Sequence, residues 1–93
     1  SRAVPKGKWI RFQAKTNVTP PYEVRWQVVN TGAEATAAGA AQLRGGFDEG
    51  EGSLGSVQWE ITSYRGTHWI EAFVIKNGLC VARSGRCRVR VSN

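Results

Sequence analysis

The chain has 93 residues, enough for one domain with a single modest core and too few for a catalytic domain plus a regulatory one. Hydrophobic residues at 41% and charged residues at 22% are ordinary globular proportions and exclude a disordered chain, and no apolar run nears the roughly 18 residues of a membrane span. The formal charge of +6 is segregated: residues 1–15 and 76–93 each carry five cations and no acid, while all seven acids lie between them, a pattern that points to an anionic partner.

Because it begins with Ser1 and not Met, the chain is read as a fragment of a larger protein: one domain over 1–93, with 1–7 a tail or linker. Strict alternation then predicts a series of strands. Ile10, Phe12 and Ala14 face inward with Arg11, Gln13 and Lys15 outward, and in 22–28 the inner set is Tyr22, Val24, Trp26 and Val28. The Ala-rich stretch 33–41 allows a short helical turn on the surface. The stretch 44–56, with five glycines and the acids Asp48, Glu49 and Glu51, reads as a flexible loop. In 57–62 the expected inner residues are Val57, Trp59 and Ile61, opposed by Gln58, Glu60 and Thr62. Residues 68–75 are apolar on both faces, as in a central strand, and end at Asn77-Gly78, a strong hairpin signal. Cys87, Val89 and Val91 alternate with Arg86, Arg88 and Arg90 in the last strand. The sum is an all-β fold, a small antiparallel β-sandwich of immunoglobulin type with six to seven strands.

Continuing the hairpin through a second turn at Ser84-Gly85 pairs Ile75 with Cys80, Phe73 with Ala82 and Ala82 with Cys87. That register leaves Cys80 and Cys87 on a diagonal roughly 7–8 Å long, too far for an unstrained bridge. A last strand crossing to a second sheet would reopen the question. Two reduced, buried cysteines suit a cytoplasmic protein.

Catalysis has little support. There is one histidine, His68, no nucleophile or phosphate-loop motif, too few ligands for a metal site, and nothing that calls for a cofactor. Glu60 and Glu71 form an acid–base pair only in principle, Glu60 reading more simply as an outward cross-strand ion pair. Glu71 shares a face with Trp69 and Phe73, so its carboxylate is expected to be partly buried with an arginine partner, or else to face a ligand. Tyr64-Arg65-Gly66-Thr67-His68-Trp69 gathers the side chains that bind nucleotides, rings for bases and guanidinium for phosphate, although core and turn roles would explain the same residues.

These strings, Val24-Arg25-Trp26-Gln27-Val28-Val29-Asn30-Thr31-Gly32, Leu43-Arg44-Gly45, Tyr64-Arg65-Gly66-Thr67-His68-Trp69-Ile70-Glu71 and Asn77-Gly78-Leu79-Cys80, resemble the adenylyl/guanylyl cyclase and SMODS C-terminal sensor domain over about residues 22–92. The resemblance implies a non-catalytic domain, covalently attached to a nucleotidyltransferase, cyclase or effector of bacterial antiphage signalling, that senses a nucleotide or other anionic ligand. It makes Arg44, Tyr64, Gly66, His68 and Glu71 signature positions. The ligand-binding set is accordingly Arg44, Tyr64, Arg65, His68, Trp69 and Glu71. Two further readings stand beside it. One is a single-stranded nucleic-acid module whose first and last strands combine Lys8, Arg11, Lys15, Arg86, Arg88 and Arg90 into one basic face, although the aromatics do not obviously interleave with it. The other is a sandwich that docks on protein without a small ligand.

Overall fold

The computed structural model describes residues 3–39 and 46–92. Eight strands form two layers. The large sheet runs β1 (Val4–Pro5), β8 (Cys87–Ser92), β6 (Gly66–Lys76), β3 (Glu23–Val29), β4 (Phe47–Glu49), with β7 (Leu79–Arg83) also on β6. The small sheet is a ribbon of β2 (Trp9–Gln13) and β5 (Val57–Ile61). Every pairing is antiparallel except the short β1–β8 contact. A six-residue helix α1, Ala33–Ala38, and a 3₁₀ turn, Ser53–Gly55, complete the elements of the described residues. The segment expected as a tail thus contributes β1.

Val24, Trp26, Val28, Ile70 and Ala72 form the core on one face of the large sheet, with Phe12, Ala14 and Tyr22 packed against them. Each fully buried large apolar side chain contributes roughly 1.5–3 kcal/mol, and the ribbon depends on this contact because a lone two-stranded sheet is marginal in water. The alternation in β2, β3 and β6 is as read, and the turn after β6 has positive φ at both Asn77 and Gly78, as a two-residue hairpin requires.

Four expectations are corrected. First, β5 is turned over. Trp59 and Ile61 are 45% and 44% exposed, whereas Gln58 and Thr62 are buried and Glu60 is half-buried. The pairing of Trp9 with Ile61 and Arg11 with Trp59 puts these four on the solvent side, and Thr62 is needed inside. Its hydroxyl donates to the Pro5 carbonyl at 2.8 Å and accepts from the Lys8 N–H at 2.9 Å, satisfying backbone that would otherwise be buried unpaired. Glu60 accordingly hydrogen-bonds Gln58 at 2.6 Å and, among the described residues, makes no outward ion pair.

Second, β7 and β8 do not form a hairpin. Both line one edge of the 11-residue β6, β7 along Phe73–Lys76 and β8 along Gly66–Ile70, so they act as one strand interrupted at 84–86. A register shift between Val74 and Ile75 keeps Ile75 opposite Cys80 but sets Phe73 opposite Arg83. Third, Cys80 and Cys87 are free thiols, but both are exposed: β7 is an edge strand, and β1 borders β8 only at Val91 and Ser92, away from Cys87. Fourth, within 44–56 the described part is built, not loose: it holds β4 and a turn whose Gly55 carbonyl accepts from the Trp26 indole N–H at 2.8 Å.

Candidate functional site

The face of the large sheet opposite the core carries Trp69, Glu71 and Phe73 from β6, at the alternate positions that the core does not use. Where β7 breaks off, Glu71 fills the interruption. Its carboxylate accepts from Arg83 Nε at 2.7 Å and Nη2 at 3.1 Å, and from the Gly85 N–H at 3.2 Å. The Ser84 N–H and hydroxyl bond the Ala72 carbonyl and N–H at 2.9 and 3.0 Å. Gly85 takes φ +79°, which suits glycine alone at low cost. The Glu71 side chain is 4% exposed and that of Arg83 63%. Hydrogen bonding from Arg83 holds the Glu71 carboxyl below its usual range, with the Arg83 charge, the Gly85 N–H and Arg86 in the same direction and burial opposing.

Beyond that interruption β8 sets Arg88 opposite Trp69. The guanidinium carbons of Arg86 and Arg88 stand 4.7 and 5.1 Å from the Trp69 ring centroid, cation–π contacts of roughly 0.5–1 kcal/mol each at such exposed sites. Arg83 lies 4.9 Å from the Phe73 ring, which meets Phe47 edge-on at 5.3 Å. Among the described residues no carboxylate forms an ion pair with Arg86, Arg88 or Arg90, whereas Arg25 is held by Glu23 and Glu49. Gln27, Val29, Trp69, Glu71 and Arg86 enclose a recess of about 240 Å³. That is below the roughly 300–1,000 Å³ of pockets that engulf a ligand, so it accommodates one ring or phosphate with the rest of a ligand lying across the face.

The structure divides the residues singled out from sequence. Trp69 and Glu71 share this face, where Trp69 meets Arg86 and Arg88, two residues of the nucleic-acid-binding alternative. His68 points the other way. It is 7% exposed, its Nδ1 accepts from the Thr31 N–H at 3.1 Å, and its Nε2 lies 2.7 Å from the Tyr64 carbonyl oxygen, so the ring ties two loops together. Gly66 passes so near Thr31 that a Cβ would stand 2.9 Å from its carbonyl oxygen, and the Thr31 hydroxyl bonds the Thr67 carbonyl. Tyr64 is half-buried in the same junction. Arg65 and Lys6 both engage Glu34 of α1, at 3.8 and 2.6 Å, and the Lys6 hydrogen bond, then the Arg65 N–H, lower the Glu34 carboxyl. The string Tyr64–His68 is therefore a junction between α1, β3 and β6. Arg44 lies outside the described residues.

The single basic face does not form. Lys8 and Lys15 flank the ribbon strand that carries Arg11, and Arg86, Arg88 and Arg90 lie on or beside β8 of the large sheet. The sequence names Arg86 and Arg88 as cations for a nucleic acid but not their place beside Trp69, which only the pairing of β8 to β6 supplies.

Among the described residues no helix is long and apolar enough to cross a membrane. Comparison with curated proteins and with solved structures finds no match. A family model, the adenylyl/guanylyl and SMODS C-terminal sensor domain, matches residues 1–92, including the first 21 that the resemblance left out. With the fold all-β and the match spanning nearly the whole chain, the protein belongs to the adenylyl/guanylyl and SMODS C-terminal sensor domain family.

Proposed function

We propose that this sensor domain recognises a nucleotide or nucleotide-derived anion on the Trp69 face and regulates an attached nucleotidyltransferase, cyclase or effector of bacterial antiphage signalling, in the cytoplasm, where Cys80 and Cys87 remain thiols. The observation that carries the reading is Arg86 and Arg88 over the Trp69 ring, within 4.7 and 5.1 Å and without a carboxylate partner among the described residues. A phosphate draws both guanidiniums into charge-assisted hydrogen bonds and uncovers an indole face for the base, worth about 1–3 kcal/mol of stacking. Glu71 is a positioning residue here, fixing Arg83 and the Gly85 backbone beside Arg86. Arg86 belongs to the interruption between β7 and β8, so drawing it outward loads the Ser84–Gly85 link to β6. Regulation follows only if the ligand prefers one of two states of the parent protein.

The test is titration of melting temperature and tryptophan fluorescence with a panel of cyclic and linear nucleotides. One nucleotide gives a saturable shift, Arg86→Ala together with Arg88→Ala weakens it at least tenfold, and His68→Phe retains it wherever that variant folds. A flat response across the panel overturns the reading in favour of protein docking.

A further inference from the structure

The small sheet presents a second aromatic and cationic surface, on the far layer of the sandwich from Trp69. Its solvent side carries Trp9, Trp59 and Ile61, 63%, 45% and 44% exposed. Because Trp9 pairs with Ile61 and Arg11 with Trp59, the two tryptophans occupy diagonal positions of adjacent strands, their backbones about 7–8 Å apart, with Arg11 next to both. Exposed Lys8 and Lys15 mark the two ends of the row. Among the described residues none of these three cations forms an ion pair; Arg11 reaches only Gln13, at 3.3 Å. One acid, Glu51, bridges Val57 at the end of the ribbon, and Glu60 faces inward.

Among the described residues neither indole N–H has a hydrogen-bond partner, the ribbon packs on the core through Phe12 and Ala14, and its inward polar groups are bonded within the layer interface. An aromatic surface left open in this way marks a contact, and its charge selects the occupant. A second copy of the chain would set Arg11, Lys8 and Lys15 against themselves, and an apolar protein face would strip Arg11 of water without supplying a partner. A polymer with flat rings and a regularly spaced negative backbone satisfies both the indoles and the cations.

We propose that the solvent side of the β2–β5 ribbon is a platform for single-stranded nucleic acid, with successive bases stacked on Trp9 and Trp59 and the phosphates running past Lys8, Arg11 and Lys15. The site is separate from the Trp69 face, and its test separates the two. Fluorescence anisotropy of a labelled octauridylate and octathymidylate is measured with the 93-residue chain. Binding is saturable at 50 mM salt and weakens about 20-fold by 200 mM, the response of three phosphate contacts at about 0.7 each per logarithm of salt. Trp9→Ala and Trp59→Ala each weaken it about tenfold or more, while phenylalanine at either position retains most of the affinity. Arg11→Gln, a surface change that leaves the core intact, also weakens it. Arg86→Ala with Arg88→Ala leaves it within threefold. Absence of binding at 50 mM salt overturns the proposal. So does loss of binding in the Arg86 and Arg88 pair with no effect of the indoles, or sedimentation as a dimer that Trp9→Ala dissociates.

Discussion

The Glu71 side chain is 4% exposed and its partner Arg83 63%, and this difference sets what each substitution does. Glu71→Gln keeps an oxygen for one donor and returns Arg83 to water, costing about 1 kcal/mol. Arg83→Ala leaves the carboxylate with the Gly85 N–H as its one hydrogen-bond donor among the described residues, and costs more. Because the folded carboxyl titrates below its ordinary value of 4.5, the stabilisation is complete above about pH 4.5 and is lost as pH falls through the lower folded value. Urea denaturation at pH 7 and pH 3 checks both statements: Arg83→Ala is the worse variant at pH 7, and the gap to the parent narrows in acid. That Glu71 is buried and paired was legible from Trp69 and Phe73 on either side of it. Which arginine it takes was not, because Arg83 arrives only through the shifted register at Val74 and Ile75.

At the scale of single elements, alternation told strand from helix everywhere it was strong, but period two fixes only that two faces differ, not which one is buried. In β3 and β6 the answer was the same as hydrophobicity. In β5 it was the reverse, because Thr62 is required inside for the Pro5 and Lys8 backbone. The inversion leaves Glu60 in the layer interface, where burial pushes its carboxyl up from 4.5, Gln58 partly offsets this and Asp48 adds repulsion. A raised carboxyl favours the folded state when protonated, so its contribution is best below about pH 4.5 and worsens as pH rises through the folded value. Glu60→Gln is therefore expected to raise the melting temperature at pH 7.5. At pH 4 the difference shrinks towards zero. Equal melting temperatures at pH 7.5 would mean that the Glu60 carboxylate is fully hydrated.

Across the whole molecule, the segregated charge read from the sequence becomes two cationic surfaces on opposite layers, one with the Trp69 indole and the other with those of Trp9 and Trp59. Composition revealed both basic ends, but their division between layers needed the topology: β2 joins β5 in one layer while β8 joins β6 in the other. The four tryptophans sample this arrangement well. Trp26 is in the core and bonded to Gly55, Trp69 lies under Arg86 and Arg88, and Trp9 and Trp59 face solvent on the ribbon.

The most direct measurement is an ¹⁵N–¹H NMR titration that follows the four indole N–H signals, each assigned by its Trp→Phe variant, as the nucleotide panel is added. A ligand sensed at the proposed site moves the Trp69 signal saturably, leaves those of Trp9 and Trp59 in place, and loses its effect in the Arg86→Ala, Arg88→Ala protein. A nucleotide that binds while the Trp69 signal stays fixed, or a panel in which none moves it, contradicts the assignment of the ligand face.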